Sequence, residues 1–159
     1  MTVTAIYPGT FDPFTLGHAD IAIRGAGMFD KLIVAVSESG RTTMFTPEER
    51  LRMVKAELSS IKNIEVVSFG GLLIDVCAKH GATAVLRGIR SFADFEYEAE
   101  MASLNRQMSA TVETVFLSTS DALRSISGSR VREISKLNGK YQGFVSAAVA
   151  VQIEAKLKV

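Results

Sequence analysis

Tyr7-Pro8-Gly9-Thr10-Phe11-Asp12-Pro13-Phe14-Thr15-Leu16-Gly17-His18 decides how the rest of the chain is read. The apolar run from Val3 to Ile6 before it reads as a buried strand. After it, Ile21, Gly25 and Met28 recur on one face of a helical pattern. The stretch is therefore a strand-to-helix connection, the position at which α/β proteins bind nucleotides. Its residue types suit that position. Gly9 lets the backbone turn and approach a ligand closely. Thr10 and Thr15 offer hydroxyls, and Gly17 lets the next helix begin tight against its neighbour. His18 falls on the first helical turn, where free N–H groups and the helix dipole favour anions. The pattern is neither G-x-x-x-x-G-K-[ST] nor G-x-G-x-x-G.

Working outward, strand-like and helix-like segments alternate to the end of the chain. Lys31-Leu32-Ile33-Val34-Ala35-Val36 is short, apolar and β-branched, as a strand buried on both faces should be. Thr46-Pro47-Glu48-Glu49 combines an N-cap, a first-position proline and a capping-box glutamate. Leu51, Val54, Leu58 and Ile61 then predict the face that packs on the sheet. Ile64 to Phe69 is a third strand, and Leu72 to His80 a short helix closed by Gly81. His80 fits a role in satisfying the last carbonyls of that helix. Ala82 to Leu86 is a fourth strand, with a long helix from about Phe92 to Gln107, and Thr111 to Leu117 a fifth. Helices to about Leu137 and from about Ser146 to Lys156 close the chain, with a turn at Asn138-Gly139. Five strands alternating with helices predict a Rossmann-like, doubly wound α/β fold: a five-stranded parallel sheet with helices on both faces. Ligands of such sheets bind beyond the carboxyl ends of the strands, so the segments after strands one, two, four and five should converge.

Composition sets the outer limits. At 159 residues the chain, residues 1–159, reads as one domain, and 47% apolar residues are ordinary for a packed globular protein. A net charge of +1 gives no general pull toward nucleic acid or a membrane surface, so phosphate binding must rest on a few placed basic residues. The single cysteine, Cys77, excludes an intramolecular disulfide, suits a reducing cytoplasm and reads as a core filler. Met1 to Ile6 lacks a basic leader region, and no apolar run approaches the roughly 18 residues of a membrane span.

Three further segments carry candidate chemistry. Arg87-Gly88-Ile89-Arg90 puts two guanidinium forks at the end of a strand, a geometry matched to phosphate oxygens, with solvated surface arginines paired to carboxylates as the lesser alternative. The helix after it begins Ala93-Asp94-Phe95-Glu96-Tyr97-Glu98. Glu98 reads either as a residue favoured near a helix start by the dipole or as an acceptor for a base or ribose. Ile126-Ser127-Gly128-Ser129 opens a helix with Ser127 or Ser129 as N-cap, which reads as a plain cap or as an anion cradle of free N–H groups. The polar loop from Ser37 to Phe45 contains Gly40 and Arg41. Neither a Ser/His/Asp arrangement nor a metal-ligand cluster is visible.

Thr15-Leu16-Gly17-His18 resembles the T-x-G-H signature of the nucleotidyltransferase superfamily. The fuller run from Tyr7 to Pro13 resembles the phosphopantetheine adenylyltransferase family, as do Arg87-Gly88-Ile89-Arg90 and the Ala93 to Glu98 helix start. The similarity covers nearly the whole chain. It departs at Gly128, where the family carries a serine, and at Arg41, where it usually carries lysine. The resemblance implies ATP and 4′-phosphopantetheine as substrates, dephospho-coenzyme A and pyrophosphate as products, a cytoplasmic location and a homohexamer. It implies that His18 acts on the α-phosphate in the transition state, with Thr10, Arg41 and Arg90 as its catalytic companions. Thr10, Phe11, His18, Gly88, Ile89, Arg90, Glu98 and the run Ala122, Leu123, Arg124, Ser125, Ile126, Ser127, Gly128 and Ser129 would surround ATP. Thr10, Arg41, Leu73 and Arg87 would hold the phosphopantetheine. Mg2+ would ride on the ATP phosphates rather than on protein ligands. Another small nucleotidyltransferase, of the nicotinate mononucleotide type, and a non-catalytic ATP-binding module stand as the alternatives.

Overall fold

The computed structural model describes residues 1–39 and 42–158. In chain order the elements are β1 (Thr4–Gly9), α1 (Leu16–Ala26), β2 (Lys31–Ser37), α2 (Pro47–Leu58), β3 (Ile64–Phe69), α3 (Leu73–His80) and β4 (Ala84–Ile89). They are followed by α4 (Phe92–Met108), β5 (Glu113–Ser118), α5 (Gly128–Lys136) and α6 (Ala147–Leu157). The strands form one parallel sheet in the order β3-β2-β1-β4-β5. The chain winds outward from β1 to β3, then crosses back to β4 on the other side of β1. That reversal makes the gap between β1 and β4 the topological switch point.

Side-chain alternation along the strands builds two cores. Ala5 and Tyr7 of β1, Leu32, Val34 and Val36 of β2, and Ala84 and Leu86 of β4 face one layer, packed with α1, α2, α5 and α6 residues such as Ile21, Val54, Val131 and Ile153. Ile6, Ile33, Ala35 and Val85 face the other, against Val76 and Cys77 of α3. The doubly wound sandwich predicted from the alternating pattern is the fold observed. The capping box at Thr46 and Glu49 forms as expected, and Gly81 closes α3 at φ 63.

Several expectations need correction. β1 runs on to Gly9, well past Ile6, because β2 offers a partner as far as Val36 and the Pro-Gly pair does not break that ladder. Met28 does not share the buried face of Ile21 and Gly25: α1 ends at Ala26, and Met28 lies beyond it, exposed. On α2 the expected stripe packs, with Val54 and Leu58 buried and Leu51 and Ile61 half-buried against the same core, but it is wider than expected, since Arg50 and Met53 are buried beside it. β4 and β5 also begin later and end later than their apolar runs suggest. On α4 the only buried residue is Asn105, while Phe92, Tyr97, Leu104 and Met108 are exposed.

Candidate active site

The switch point opens because the β1–β4 ladder is short. Ala5 pairs with Ala84 and Ile6 with Val85, and there the pairing stops. Beyond it β1 stays on β2 as far as Gly9, and β4 stays on β5 as far as Ile89. Pro8, which has no N–H to give to a ladder, lies past the split. Arg87 bridges the gap instead: its Nη1 donates to the Pro8 carbonyl at 2.7 Å.

The resulting crevice, about 430 Å³, is lined by the loop after β1, the end of β4, the start of α4 and the first turn of α5. A second basin of about 470 Å³ continues it toward β2, α3 and the outer part of α4. Pro8, Gly9, Thr10, Arg87 and Glu98 line both. The first basin is polar, with Arg90, Ser127, Gly128, Ser129 and Arg132 in its wall. The second is more apolar, with Leu72, Leu73, Tyr97, Met101 and Met108, and carries the buried amide of Asn105. A charged, phosphate-bearing ligand and a longer, amphipathic one would meet at Thr10.

His18 is held by a capping box in which it plays the part usually taken by a glutamate. The Thr15 hydroxyl accepts from the His18 N–H at 3.3 Å, and the Thr15 N–H donates to His18 Nδ1 at 3.0 Å. A backbone N–H can only donate, so Nδ1 presents its lone pair and the ring proton sits on Nε2. The Thr15 hydroxyl lies 3.2 Å from the same Nδ1 and can donate to it too. Burial, with the positive charges of Arg90 and Arg87 added, pulls the His18 pKa down to about 4. The imidazole is therefore a neutral, oriented N–H donor at the wall of the crevice.

Phe11 sets that ring in place from behind. It takes a left-handed backbone conformation, φ 52, and its side chain packs edge-on against Tyr7, Phe14 and His18 at centroid distances of 5.4, 5.5 and 5.1 Å. Gly9 is required beneath it: a Cβ there would stand 2.7 Å from the Phe11 ring. The Phe11 side chain is thus buried support for the His18 ring, in a residue that also lines the crevice. Asp12, also buried, accepts from the N–H groups of Met44 and Phe45 at 2.8 and 2.9 Å, which ties the segment before α2 to the loop after β1.

Arg87, within β4, and Arg90, just past its end, are paired with two carboxylates one turn apart on α4. Glu98 takes Nε of Arg87 at 2.8 Å and its Nη2 as well. Asp94 takes Nε of Arg90 at 3.0 Å, and Arg90 Nη1 reaches the Ile126 carbonyl at 3.3 Å. On α5, Ser127 is the N-cap, its hydroxyl accepting from the Arg130 N–H and lying 3.1 Å from that of Ser129. Arg132, one turn further on, donates to the Asp12 carbonyl at 2.5 Å and closes the floor between α5 and the β1 loop.

Of the residues singled out in the sequence, Thr10, Phe11, His18, Arg87, Gly88, Arg90, Glu98, Ile126, Ser127, Gly128 and Ser129 converge on the crevice. Leu73 lines the adjoining basin. Ile89, Ala122, Leu123, Arg124 and Ser125 are not in the lining. A 3-10 turn over Asp121–Leu123 precedes the α5 start, and Arg124 is exposed, paired with Asp121 at 2.8 Å. Arg41 lies outside the described residues. Sequence reasoning passed over Asp12, Arg50, Asp94, Asn105 and Arg132. The T-x-G-H run itself carried a usable signal for Thr15, since a threonine three residues before a histidine is a capping-box spacing.

The cytidylyltransferase-like family matches residues 6–134. The phosphopantetheine adenylyltransferase of Methylococcus capsulatus is 45% identical over 157 residues, covering 98% of this chain and 97% of its own length. The chain belongs to the phosphopantetheine adenylyltransferase family. The relative from Janthinobacterium sp. is 47% identical over 156 residues, again with 98% of this chain and 97% of its own covered. Two solved structures show a likeness of fold to this member of the family. A putative nicotinate-nucleotide adenylyltransferase from Vibrio parahaemolyticus superposes with a TM-score of 0.70 at 14% identity, covering 96% of this chain and 99% of that one. A lipopolysaccharide core biosynthesis protein from Thermoplasma volcanium gives 0.58 at 21% identity, covering 76% and 100%.

Proposed function

We propose that this enzyme transfers the adenylyl group of ATP to 4′-phosphopantetheine, giving dephospho-coenzyme A and pyrophosphate. The observation that carries the reading is the meeting of a polar and an apolar basin at Thr10, Arg87 and Glu98, with the His18 donor beside them. ATP occupies the polar basin, its phosphates on the α5 N-terminus, Arg90 and Arg132. The acceptor's pantetheine arm lies along Leu73 and Met101, its amides within reach of Asn105, and its phosphate lies by Thr10 and Arg41.

An oxygen of the acceptor phosphate attacks the α-phosphorus in line, the bond to the β-phosphate oxygen breaks, and pyrophosphate leaves. The attacking group is already anionic near neutral pH, so no residue needs to remove a proton. What the chain supplies is alignment and stabilisation of charge on the α-phosphoryl oxygens. His18 donates Nε2–H to one of them without adding a charge of its own.

Magnesium would be held by the nucleotide's phosphate oxygens, where it neutralises part of their charge. The crevice carboxylates are engaged elsewhere: Asp12 by backbone N–H groups, Asp94 by Arg90 and Glu98 by Arg87. Among the described residues no group of three or more His, Cys, Asp or Glu is gathered to hold a metal. We place a homohexamer in the same proposal, supported by the exposed apolar side chains of α4. A cytoplasmic setting belongs to it as well, supported by the lone, buried Cys77. No described helix is long and apolar enough to cross a membrane.

The test is pyrophosphate release from ATP with a panel of acceptors: 4′-phosphopantetheine, nicotinate mononucleotide and a simple phosphorylated alcohol. Preference for 4′-phosphopantetheine by orders of magnitude in kcat/KM is expected. Preference for either of the others, or binding of ATP without turnover, overturns the proposal.

A further inference from the structure

Arg50 is the largest fully buried side chain of the described residues, and the proposed reaction gives it no direct role. It rises from α2 into the cleft where β1 and β2 part. Gly9 pairs with Val36 as the last rung of that ladder, so Thr10 and Ser37 would form the next. Instead, Arg50 Nη1 donates to both of their carbonyls, each at 2.7 Å. Its Nε donates to the Phe45 carbonyl at 3.2 Å. One guanidinium thus fastens Thr10 at the reaction centre, and Ser37 and Phe45 at the two ends of the segment that carries Arg41. Burying a cation in this way is costly unless its donors are satisfied, yet Nη2 finds no hydrogen-bond partner among the described residues. The carboxylate of Asp12, which accepts from the Met44 and Phe45 N–H groups and lies 3.6 Å from Arg132, and that of Glu48 supply the negative charge that faces it.

We infer that Arg50 is the positioning residue of the acceptor side: it splits β1 from β2 and, by holding the Thr10, Ser37 and Phe45 carbonyls together, fixes Thr10 where the acceptor's phosphate is to be received. The inference rests on the two-basin reading above. Arg50 is not in the crevice lining, so it acts through Thr10 and the two segment ends. Lysine keeps the charge but cannot reach three carbonyls from one planar group.

The test is Arg50→Lys in the full-length enzyme, with wild type first assayed to establish which phosphorylated acceptor it uses. Failure of wild type to use 4′-phosphopantetheine would count against the proposed function. The Arg50 comparison is then made with the acceptor that wild type does use. Arg50→Lys is expected to lower kcat/KM for the acceptor by about a hundredfold, the scale of a small misplacement of reacting groups, with the KM for ATP changed less than about threefold. Guanidinium ion should restore part of the activity of Arg50→Ala. Equal losses for both substrates, or no recovery with guanidinium, would make Arg50 a purely structural residue and overturn the inference. If neither variant folds, wild type decides: the Nε–H resonance of Arg50 should shift on binding acceptor and stay put on binding ATP. A shift with ATP alone, or with neither, is the contrary result.

Discussion

Acidifying the enzyme should leave His18 uncharged where an ordinary histidine would be a cation. With its pKa pulled down to about 4, the ring is cationic in only about 3% of molecules near pH 5.5, against about 90% for an imidazole titrating at the usual 6.5. The cause is local and specific: burial first, then the guanidinium groups of Arg90 and Arg87, with Nδ1 committed to the Thr15 N–H. The chain has two histidines, so nitrogen NMR of the labelled protein and of His80→Gln assigns each ring without ambiguity. His18 should show a protonated Nε2 and a bare Nδ1 from about pH 8 to about pH 5. The same displacement affects stability. As pH falls below about 6.5 the unfolded chain takes up a proton that native His18 refuses until about 4, so stability is lost across that window, by on the order of 3 kcal/mol. In His18→Gln the denaturation midpoint should fall less steeply over the same range. A His18 midpoint near 6.5, or a proton on Nδ1, would refute the reasoning.

Other expectations follow from the site. His18→Ala should lower kcat by about a hundredfold to a thousandfold, as for loss of one oriented donor, with ATP affinity by calorimetry nearly unchanged. Gly128→Ser looks nearly neutral from sequence, since a backbone N–H survives; but a Cβ there would stand 3.1 Å from the Asp12 carbonyl that Arg132 holds, so it should raise the KM for ATP severalfold in steady-state assays. Arg41→Ala should weaken acceptor binding strongly and ATP binding little when the two are titrated separately, and Arg41→Lys should keep much of the activity.

The fold was legible because strand-like apolar runs alternate with helical patterns and most helices carry a capping side chain at their start, α3 at Leu72 being an exception. The Thr46-Pro47 start is a clear example. What the sequence hid was long-range. Nothing local distinguishes Arg50 from a surface arginine; its burial depends on where β1 and β2 separate. Glu98 offers a choice of roles on paper, and only the folded chain shows it bound to Arg87, eleven residues away. Phe11 reads as a ligand contact; the folded chain puts it in the crevice lining and also packs its ring against Tyr7, Phe14 and His18, a support role that no local signal announced. Asp12 and Arg132 are 120 residues apart and meet only through the closing of α5 on the β1 loop. Residues 122–125, assigned by resemblance alone, do not line the crevice itself; they belong to the 3-10 turn and the link that lead into the α5 start.

The most direct test follows the adenylyl group itself. Wild-type enzyme is given ATP labelled at the α-phosphorus together with 4′-phosphopantetheine, and the products are separated. The label should appear in dephospho-coenzyme A, with one unlabelled pyrophosphate formed for each acceptor consumed. Label recovered as AMP or ADP with the acceptor untouched would contradict the assignment of this site to adenylyl transfer.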